Sequence, residues 1–339
     1  MALAVMEMPM VDAPAPGDPV PAPLVFIHDA AIDDFVATLL IEAMPQFDLK
    51  AVVIANADCL PESGIDVASR VNQFIGRPDL PLGLSRARGW NPFPWAYRSD
   101  CVRLSKMIPS LAKLTSNTPT SPPSGDDLLT GLLETAVATG RPLTVLLTTG
   151  FTPLTSVLAA RPALAAGIAR VAWMGGALDA PGNLDPKTTD PSVANTHAEW
   201  NVFWDPFAAD QGLATLPEVA VFPLDITNSA KISIDFVARL KAQASQHSFS
   251  EFAYQAYGLV SNEPFYDMWD VTSAVWLGAP QVFAPPRRTA LQVTPWGFEQ
   301  GWMQAAAADS HRPKHDVYLS FADQPGFYDY VLAGLARSA

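Results

Sequence analysis

Cysteine, basic residues and long apolar runs are scarce in this 339-residue sequence, and each shortage excludes a class of protein. The two cysteines, Cys59 and Cys101, are too few for a disulfide framework and match no metal-ligand spacing, so we expect buried or incidental thiols. The 21 lysines and arginines against 34 acidic residues give a net charge of -13, which argues against nucleic acid or an anionic membrane as partner. No run of about 18 apolar residues occurs, so no membrane span is expected.

The start of the chain is rich in proline and has no lysine or arginine before residue 24. It therefore lacks the basic segment that opens a secretory signal, and we expect a cytoplasmic protein. Its composition predicts a disordered leader over residues 1–22. Because no linker-like stretch divides the remainder, and 49% of the residues are apolar, we expect a single domain over residues 23–339.

Short apolar runs alternate with helical patterns along most of the chain. The runs predict strands, and the segments between them carry apolar residues at helical spacing; the runs are 24–28, 49–56, 143–149, 171–177 and 219–223. This alternation predicts an α/β fold with a mostly parallel, Rossmann-like central sheet and helices on both faces. The segment 283–321 is expected to add strands before a final helix near 324–337. In such a sheet, ligands collect at the C-terminal ends of the strands.

Three aspartates crowd the turn between the first predicted strand and the first predicted helix. Asp29, Asp33 and Asp34 would repel one another there unless a cation, a proton or ligand donors compensated their charges. Oxygen-only ligands favour a hard cation, and Ca²⁺ accepts irregular sets of oxygens most readily. The segment also leaves a plain alternative open, since Asp33 or Asp34 can simply cap the helix. Asp58 ends the second predicted strand and can face the same pocket.

Three further segments carry candidate binding groups. The aromatic, proline-rich loop 90–98 either plugs the core or stacks on a flat ligand ring. The long segment 181–198 has no periodicity and leads to Glu199 and Asn201, which offer the groups that bind sugar hydroxyls. Near Trp269, a helix start capped by Asp270 is predicted.

Together these motifs resemble one family over nearly the whole chain, the calcium-dependent nucleoside hydrolases, and within it the purine-specific inosine-adenosine-guanosine group. Each landmark is weak alone, and the ordered set is specific. The landmarks are His28-Asp29 with Asp33-Asp34, Asp58-Cys59, Asn91-Pro92-Phe93-Pro94, Thr149-Gly150 with Pro153-Leu154, Met174-Gly175-Gly176, Gly182-Asn183, Glu199-Trp200-Asn201, Leu224-Asp225 with Thr227-Asn228, and Trp269-Asp270.

The resemblance implies an enzyme that hydrolyses the N-glycosidic bond of purine ribonucleosides to free base and ribose, as in purine salvage. It implies Ca²⁺ held by the side chains of Asp29, Asp34 and Asp270 and by the carbonyl of Thr149. Asp29 would also act as general base towards a calcium-bound water. The implied ribose-binding residues are Asp33, Met174, Asn183, Glu199 and Asn201. The family also implies a homodimer.

The leaving base sets the predicted specificity. In pyrimidine-tolerant members a histidine precedes the last calcium-binding aspartate, and Trp269 takes that place here. A tryptophan cannot serve as a general acid, but it can stack on a purine, paired with a second aromatic at Tyr97. Asp58 is expected to hydrogen-bond the base or its surrounding water. The alternatives are a hydrolase of a modified purine or another N-riboside, and a catalytically weak nucleoside-binding homologue.

This sequence departs from the family pattern at several positions. Ile27 stands where the motif begins with a supporting aspartate, and Ala30 and Ala31 stand where the purine-specific members have glycine and asparagine. Tyr97 replaces the usual tryptophan. Phe151 and Thr152 form an apparent insertion, so the carbonyl of Thr148 or Thr152 can take the place of Thr149. The loop between Asn183 and Glu199 is also longer than usual.

Overall fold

A computed structural model describes residues 20–118, 121–184, 190–263 and 266–338. The predicted leader lies outside these ranges through residue 19, and the first strand already begins at Ala22. The strands in chain order are β1 (Ala22–His28), β2 (Phe47–Ile54), β3 (Leu82–Leu84), β4 (Leu143–Leu147), β5 (Ile168–Met174), β6 (Val219–Phe222), β7 (Arg287–Val293), β8 (Met303–Ala305) and β9 (Lys314–Val317).

The strands form one sheet in the order β3-β2-β1-β4-β5-β6-β9-β7-β8. All neighbours from β3 through β9 pair in parallel, and β7 joins antiparallel to both β9 and β8. The predicted mostly parallel sheet is confirmed, and so are the added strands within 283–321. The strand order reverses direction at β1 and β4, which makes the crevice beyond their C-terminal ends the topological switch point.

Helices connect the strands. They are α1 (Ile32–Glu42), α2 (Pro61–Phe74), α3 (Asp100–Met107), α4 (Pro109–Ala112), α5 (Gly125–Thr139), α6 (Thr152–Ala160), α7 (Trp200–Trp204), α8 (Pro206–Thr215), α9 (Leu224–Thr227), α10 (Ile234–Ala244), α11 (Ser248–Leu259), α12 (Trp269–Gly278) and α13 (Gln324–Leu335). Short 3₁₀ turns span Trp95–Ser99, Pro162–Gly167 and Pro280–Val282.

Alternate side chains of each central strand pack into two separate hydrophobic cores, one on each face of the sheet. Leu24 and Phe26 of β1 pack on one face beneath α1, α2 and α11–α13, while Val25 and Ile27 pack on the other face with α5, α6 and α8. Strands buried on both faces need continuous apolar sequence, which is the pattern that the sequence shows. The predicted helical layers on both faces are therefore confirmed, and Ile27 belongs to the second core.

Of the two predicted helix caps, the one at α1 is confirmed in part and the one at α12 is wrong. Helix α1 begins at Ile32 with Ala31 as its N-cap, and the Asp34 carboxylate accepts a hydrogen bond from the Ala31 N–H at 2.9 Å. Helix α12 begins at Trp269 after Met268, so Asp270 lies inside the first turn, and its prediction as the cap is wrong. Both aspartates lie one or two positions after the first residue of their helix, where acidic residues are favoured as well as at the N-cap.

The two cysteines are buried, as expected, but they are not thiols. Cys59 follows the end of β2 and Cys101 lies in α3, and the two form a disulfide with a Cα–Cα distance of 6.2 Å across 42 residues. The spacing of two cysteines cannot reveal such a pairing, because it depends on how α3 packs against α2. The bond ties the turn that carries Asp58 to the helix that follows the aromatic loop. None of the helices in the described ranges is long and apolar enough to cross a membrane.

Candidate active site

The turn after β1 places Asp29 at the switch point of the sheet. Its side chain is buried, and its backbone carbonyl accepts a hydrogen bond from the Cys59 N–H at 3.1 Å, which joins the ends of β1 and β2. Burial raises the pKa of the Asp29 carboxyl well above its ordinary value, and the charges of Asp34 and Asp58 raise it further. The Asp58 N–H lowers the pKa by hydrogen bonding. The site therefore strongly disfavours the charged form of Asp29.

Ala30 gives this turn its shape. It has a φ of +69°, a conformation that glycine adopts freely and that costs other residues roughly 1–2 kcal/mol. Its N–H donates to Nδ1 of the buried His28 at 3.2 Å, and the same ring nitrogen lies 3.4 Å from the Asp34 carboxylate. Ala30 therefore adopts the positive-φ conformation that glycine would adopt at this position, and the backbone is strained there.

Asp33 and Asp34 are held by different neighbours. Asp34 accepts the Thr148 hydroxyl at 2.5 Å on one oxygen and the Ala31 N–H on the other. Asp33 accepts the Tyr266 hydroxyl at 3.1 Å on one oxygen and the Asp270 N–H at 2.8 Å on the other. Burial and the charge of Asp34 raise the pKa of Asp33 to about 7. Asp33 thereby connects α1 to the start of α12.

Asp270 lies in the same buried cluster. Burial raises its pKa well above the ordinary value, followed by the charges of Asp33, Asp34 and Asp29. Asp58 stands at the edge, where burial and the charges of Asp100, Asp34 and Asp33 raise its pKa while Arg98 lowers it. Five aspartates therefore interact electrostatically. They are the predicted metal-binding residues Asp29, Asp34 and Asp270, together with Asp33 and Asp58.

The backbone after β4 offers three candidate carbonyls. The Thr149 carbonyl accepts the indole N–H of Trp173 at 3.1 Å, and the Thr148 carbonyl accepts the Asn201 amide at 3.4 Å. Thr152 starts α6, and its hydroxyl donates to Asp205 at 3.0 Å. A carbonyl oxygen can accept two hydrogen bonds or ligands, so the Thr149 prediction remains open.

The predicted ribose-binding residues meet around Glu199. Its buried carboxylate accepts N–H groups of Gly176 at 2.8 Å and of Asn201 at 2.9 Å, and it caps α7. Gly176 has a φ of +82°, which turns its N–H towards Glu199. Asn201 donates its side-chain amide to the Met174 carbonyl at 3.1 Å. The Asn183 carboxamide oxygen accepts the Trp200 N–H at 3.1 Å, which places Asn183 beside this group.

The two predicted base-binding aromatics lie in different ring clusters. Tyr97 packs edge-on against Trp200 with centroids 6.4 Å apart, beside Phe93. Trp269 packs against Tyr266 at 4.9 Å, borders the small cluster around Met174, and donates its indole N–H to Asn228 at 3.3 Å. Met174 therefore links the ribose group to Trp269.

The side-chain contacts of three residues in the site escaped sequence reasoning. Thr148 binds Asp34, Tyr266 binds Asp33, and Trp200 touches Tyr97 and donates its indole N–H to the Asn183 carbonyl at 3.1 Å. Trp200 carried a signal, since it stands between Glu199 and Asn201. Tyr266 precedes Trp269 by three residues, but sequence spacing alone does not show that its hydroxyl reaches across to α1.

The charge pattern of the aspartate cluster fits a hard cation. The charges that act on Asp29 and Asp270 are those of other carboxylates, and all the donor atoms are oxygens. Within the described ranges, however, no three acidic, histidine or cysteine side chains converge as ready metal ligands. The oxygens of Asp33 and Asp34 are directed instead at protein donors. The cluster thus has the chemistry of a cation site. Its carboxylates would have to rotate away from these donors to bind one cation together.

Glu199 makes the stability of the chelator-treated protein depend on pH. Burial raises the pKa of this carboxyl from 4.5 to about 7, so the folded state keeps a proton that the unfolded chain releases. The free energy of unfolding should therefore fall as the pH rises from about 4.5 to 7 and level off above, by at most about 3 kcal/mol. Glu199→Gln should flatten this slope in thermal unfolding measured across the range. An equal slope in both proteins would contradict the assignment.

Comparisons with known proteins give a consistent family. The sequence profile described as inosine-uridine preferring nucleoside hydrolase matches residues 24–329. A curated relative, the pyrimidine-specific ribonucleoside hydrolase RihA of Klebsiella pneumoniae, is 26% identical over 326 residues, which cover 93% of this chain and 98% of the relative. RihA of Salmonella agona is 24% identical and covers 91% of this chain and 96% of the relative.

Solved structures agree with the fold. The inosine-uridine preferring nucleoside hydrolase from Bacillus anthracis superposes with a TM-score of 0.79 at 26% identity and covers 92% of this chain and 99% of that one. The purine-preferring ribonucleoside hydrolase from Gardnerella vaginalis superposes with a TM-score of 0.73 at 17% identity, over 93% of this chain and 99% of that one. The second likeness shows the fold alone.

Proposed function

Because the chain belongs to the inosine-uridine preferring nucleoside hydrolase family, we propose that it hydrolyses purine ribonucleosides, with Asp29 as the general base. Family membership supports the coarser activity, hydrolysis of the N-glycosidic bond of ribonucleosides. The observation that carries the finer proposal is the buried carboxylate cluster at the β1/β4 switch point, bordered by Trp269. A homodimer and a cytoplasmic location remain predictions.

We assign Ca²⁺ to Asp29, Asp34 and Asp270, with the carbonyl of Thr149. A cation supplies positive charge that offsets these carboxylates and lowers the pKa of a neighbouring water. The fit rests on the all-oxygen donor set and on the burial and mutual repulsion that raise the pKa values of Asp29 and Asp270. The Thr148 hydroxyl, in the residue after β4, holds one oxygen of Asp34, so this side chain would have to rotate or share that oxygen to bind the cation.

We assign Asp29 to take a proton from the attacking water. The Asp58 N–H holds its carboxylate, so that the remaining oxygen lone pairs are free to accept. Glycosidic cleavage passes through an oxocarbenium-like transition state, and water attacks opposite the leaving group. The negative cluster around Asp29 favours the positive charge that develops on the ribose ring.

Ribose binding falls to Asp33, Met174, Asn183, Glu199 and Asn201. Backbone N–H groups hold the Glu199 carboxylate, and Tyr266 with the Asp270 N–H holds that of Asp33. These groups therefore approach a substrate with fixed orientation, which reduces the entropy lost on binding. Met174 packs beside the sugar and meets Trp269 on its other side.

Purine preference rests on the residue before Asp270. Trp269 offers a flat, half-buried face, and its ring lacks the titratable group that a histidine would supply at this position. Tyr97 is assigned to the opposite side of the base, and Asp58 to its polar edge. A protonated purine is a better leaving group because it departs as a neutral base, and the aromatic faces favour this protonated form by attracting its positive charge.

Pyrimidine hydrolysis is the second candidate, and a specific observation favours it. The curated relatives described above are named pyrimidine-specific at 24% to 26% identity. A modified purine or another N-riboside remains a further alternative, which the longer loop after Asn183 would suit, as does a weakly catalytic nucleoside-binding protein.

A nucleoside panel separates these candidates. We expect base release from inosine, adenosine and guanosine with kcat/KM at least about tenfold above that for uridine and cytidine, since stacking contributes about 1–3 kcal/mol per base. Release would be followed by ultraviolet absorbance in excess Ca²⁺. Preference for uridine or cytidine would instead establish the second candidate. Binding without release from any nucleoside would leave the weakly catalytic alternative.

A further inference from the structure

Three carboxamide side chains join separate segments beside the ribose-binding residues. The Gln300 side-chain oxygen accepts the Asn91 amide at 3.1 Å, and the Gln300 backbone carbonyl accepts the Asn195 amide at 2.8 Å. Asn91 also donates to the Phe203 carbonyl at 2.6 Å, in α7. The aromatic loop, the long loop before Glu199 and the β7–β8 connection therefore meet at one place.

Asn195 shapes the turn that leads directly into Glu199. Its side-chain oxygen accepts the N–H of His197 at 3.1 Å and the N–H of Ala198 at 3.0 Å. With the amide bound to Gln300, all three hydrogen bonds fix the side chain and the backbone through residue 198. Because Glu199 is the next residue, the direction of its carboxylate depends on this turn.

The same turn also holds Asn183. The Ala198 carbonyl accepts the Asn183 N–H at 3.0 Å, and the Thr196 carbonyl accepts the Gly182 N–H at 2.7 Å. A Cβ at Gly182 would lie 2.1 Å from the Ala198 carbonyl oxygen, so the two segments are packed too closely for any other residue. The position of Asn183 therefore follows that of residues 196–198.

The β7–β8 connection supports the turn from outside. A Cβ at Gly301 would lie 3.0 Å from the Ala198 Cβ and 3.1 Å from the Phe203 Cα, and Gly301 has a φ of +84°. The His197 ring stacks on Trp302 with centroids 4.6 Å apart. Asn195 is thus the link between this rigid support and the ribose-binding loop.

We propose that Asn195 is a positioning residue, which fixes Glu199 and Asn183 for contact with the ribose hydroxyls and anchors the extended loop of this chain. The proposal rests on the proposed function, since it assigns hydroxyl binding to these two side chains. Asn195 itself contacts backbone groups of residues 197, 198 and 300. Its effect must therefore pass through the residues that it orients.

The test compares substrates that differ by one hydroxyl. Wild type, Asn195→Ala and Asn195→Asp are assayed on the preferred ribonucleoside and on its 2′-deoxy and 3′-deoxy forms. Asn195→Ala should lower kcat/KM for the ribonucleoside about tenfold or more, since small misplacement of a binding group is costly. Its effect on the deoxy form that lacks the bound hydroxyl should be about twofold or less. Asn195→Asp keeps the acceptor bonds to residues 197 and 198 but loses the donor bond to the Gln300 carbonyl, so its activity should lie between those of wild type and Asn195→Ala.

Asn72→Ala is the matched control. Asn72 is a buried asparagine of α2 whose amide donates to the Leu80 carbonyl at 3.3 Å, and it shares no hydrogen bond with the ribose group. This variant should unfold at a lower temperature and retain the wild-type ratio between ribo and deoxy substrates. If Asn195→Ala lost equally on both substrates, this inference would be overturned and the proposed function would stand. A folded wild type that cleaves no ribonucleoside would overturn the proposed function, and this inference with it.

Discussion

Asp29→Asn is expected to lower kcat for the preferred nucleoside by about 10³-fold while raising the unfolding temperature of the chelator-treated protein. A general base contributes about 10²–10⁴ in rate, and asparagine cannot accept the proton. The stability gain follows because the amide replaces a buried carboxylate whose pKa burial, Asp34 and Asp58 all raise. The isosteric oxygen still accepts the Asp58 N–H, so the turn should keep its shape.

Asp205→Ala is the control for this pair of effects. Asp205 is a buried carboxylate that caps α8 by accepting the Ala208 N–H at 3.0 Å, and it lies outside the aspartate cluster. Loss of an N-cap costs about 1 kcal/mol, so this variant should melt earlier and keep kcat within about threefold. If Asp29→Asn instead lost stability and retained activity, Asp29 would be structural and the assignment of the base would be wrong.

Trp269→Ala should lower kcat/KM for inosine by about 10²-fold, and by less for uridine. Base–aromatic stacking contributes about 1–3 kcal/mol, and a purine presents the larger face. Trp269→Phe keeps an aromatic ring and should lose about tenfold or less. Both variants can be compared by initial-rate kinetics on the two nucleosides.

Trp269 also packs on Tyr266, which holds Asp33, so part of any loss can come from the ribose side. Asn228→Ala tests the hydrogen bond to the indole by itself, because it removes this 3.3 Å bond and leaves the ring in place. It should change the ratio of inosine to uridine activity by about twofold or less. Wild-type kinetics in Trp269→Ala would remove stacking as the source of purine preference.

The sequence was sufficient for the fold and for the place of the cluster. Apolar runs followed by Asp29 and Asp58 predict parallel strands whose C-terminal ends meet, and the sheet order puts Asp29 at the switch between β1 and β4 and Asp58 beyond the neighbouring β2. These features arise from local periodicity, which short segments of sequence report directly. The extra strands near the C-terminus followed from the same signals.

Contacts between distant segments were beyond such reasoning. The disulfide joins residues 42 positions apart, and Tyr266 reaches Asp33 across 233 positions. The role of Asn195 could not be predicted from its irregular loop, because its hydrogen bond to Gln300 spans 105 positions. The function of each depends on tertiary packing, which no local pattern encodes. The predicted capping by Asp270 was wrong for a related reason, because the helix begins one residue earlier at Trp269.

The measurement that tests the central claim most directly is inosine turnover with Ca²⁺ and after chelation, in phosphate-free buffer. Hypoxanthine and free ribose would be quantified together, and unfolding followed in parallel. We expect the two products in equal amounts, with release lost on chelation and restored by Ca²⁺ while the protein stays folded. Folded protein that releases no hypoxanthine, or releases it undiminished in chelator, would contradict the assignment of a cation-assisted hydrolytic site to Asp29, Asp34 and Asp270.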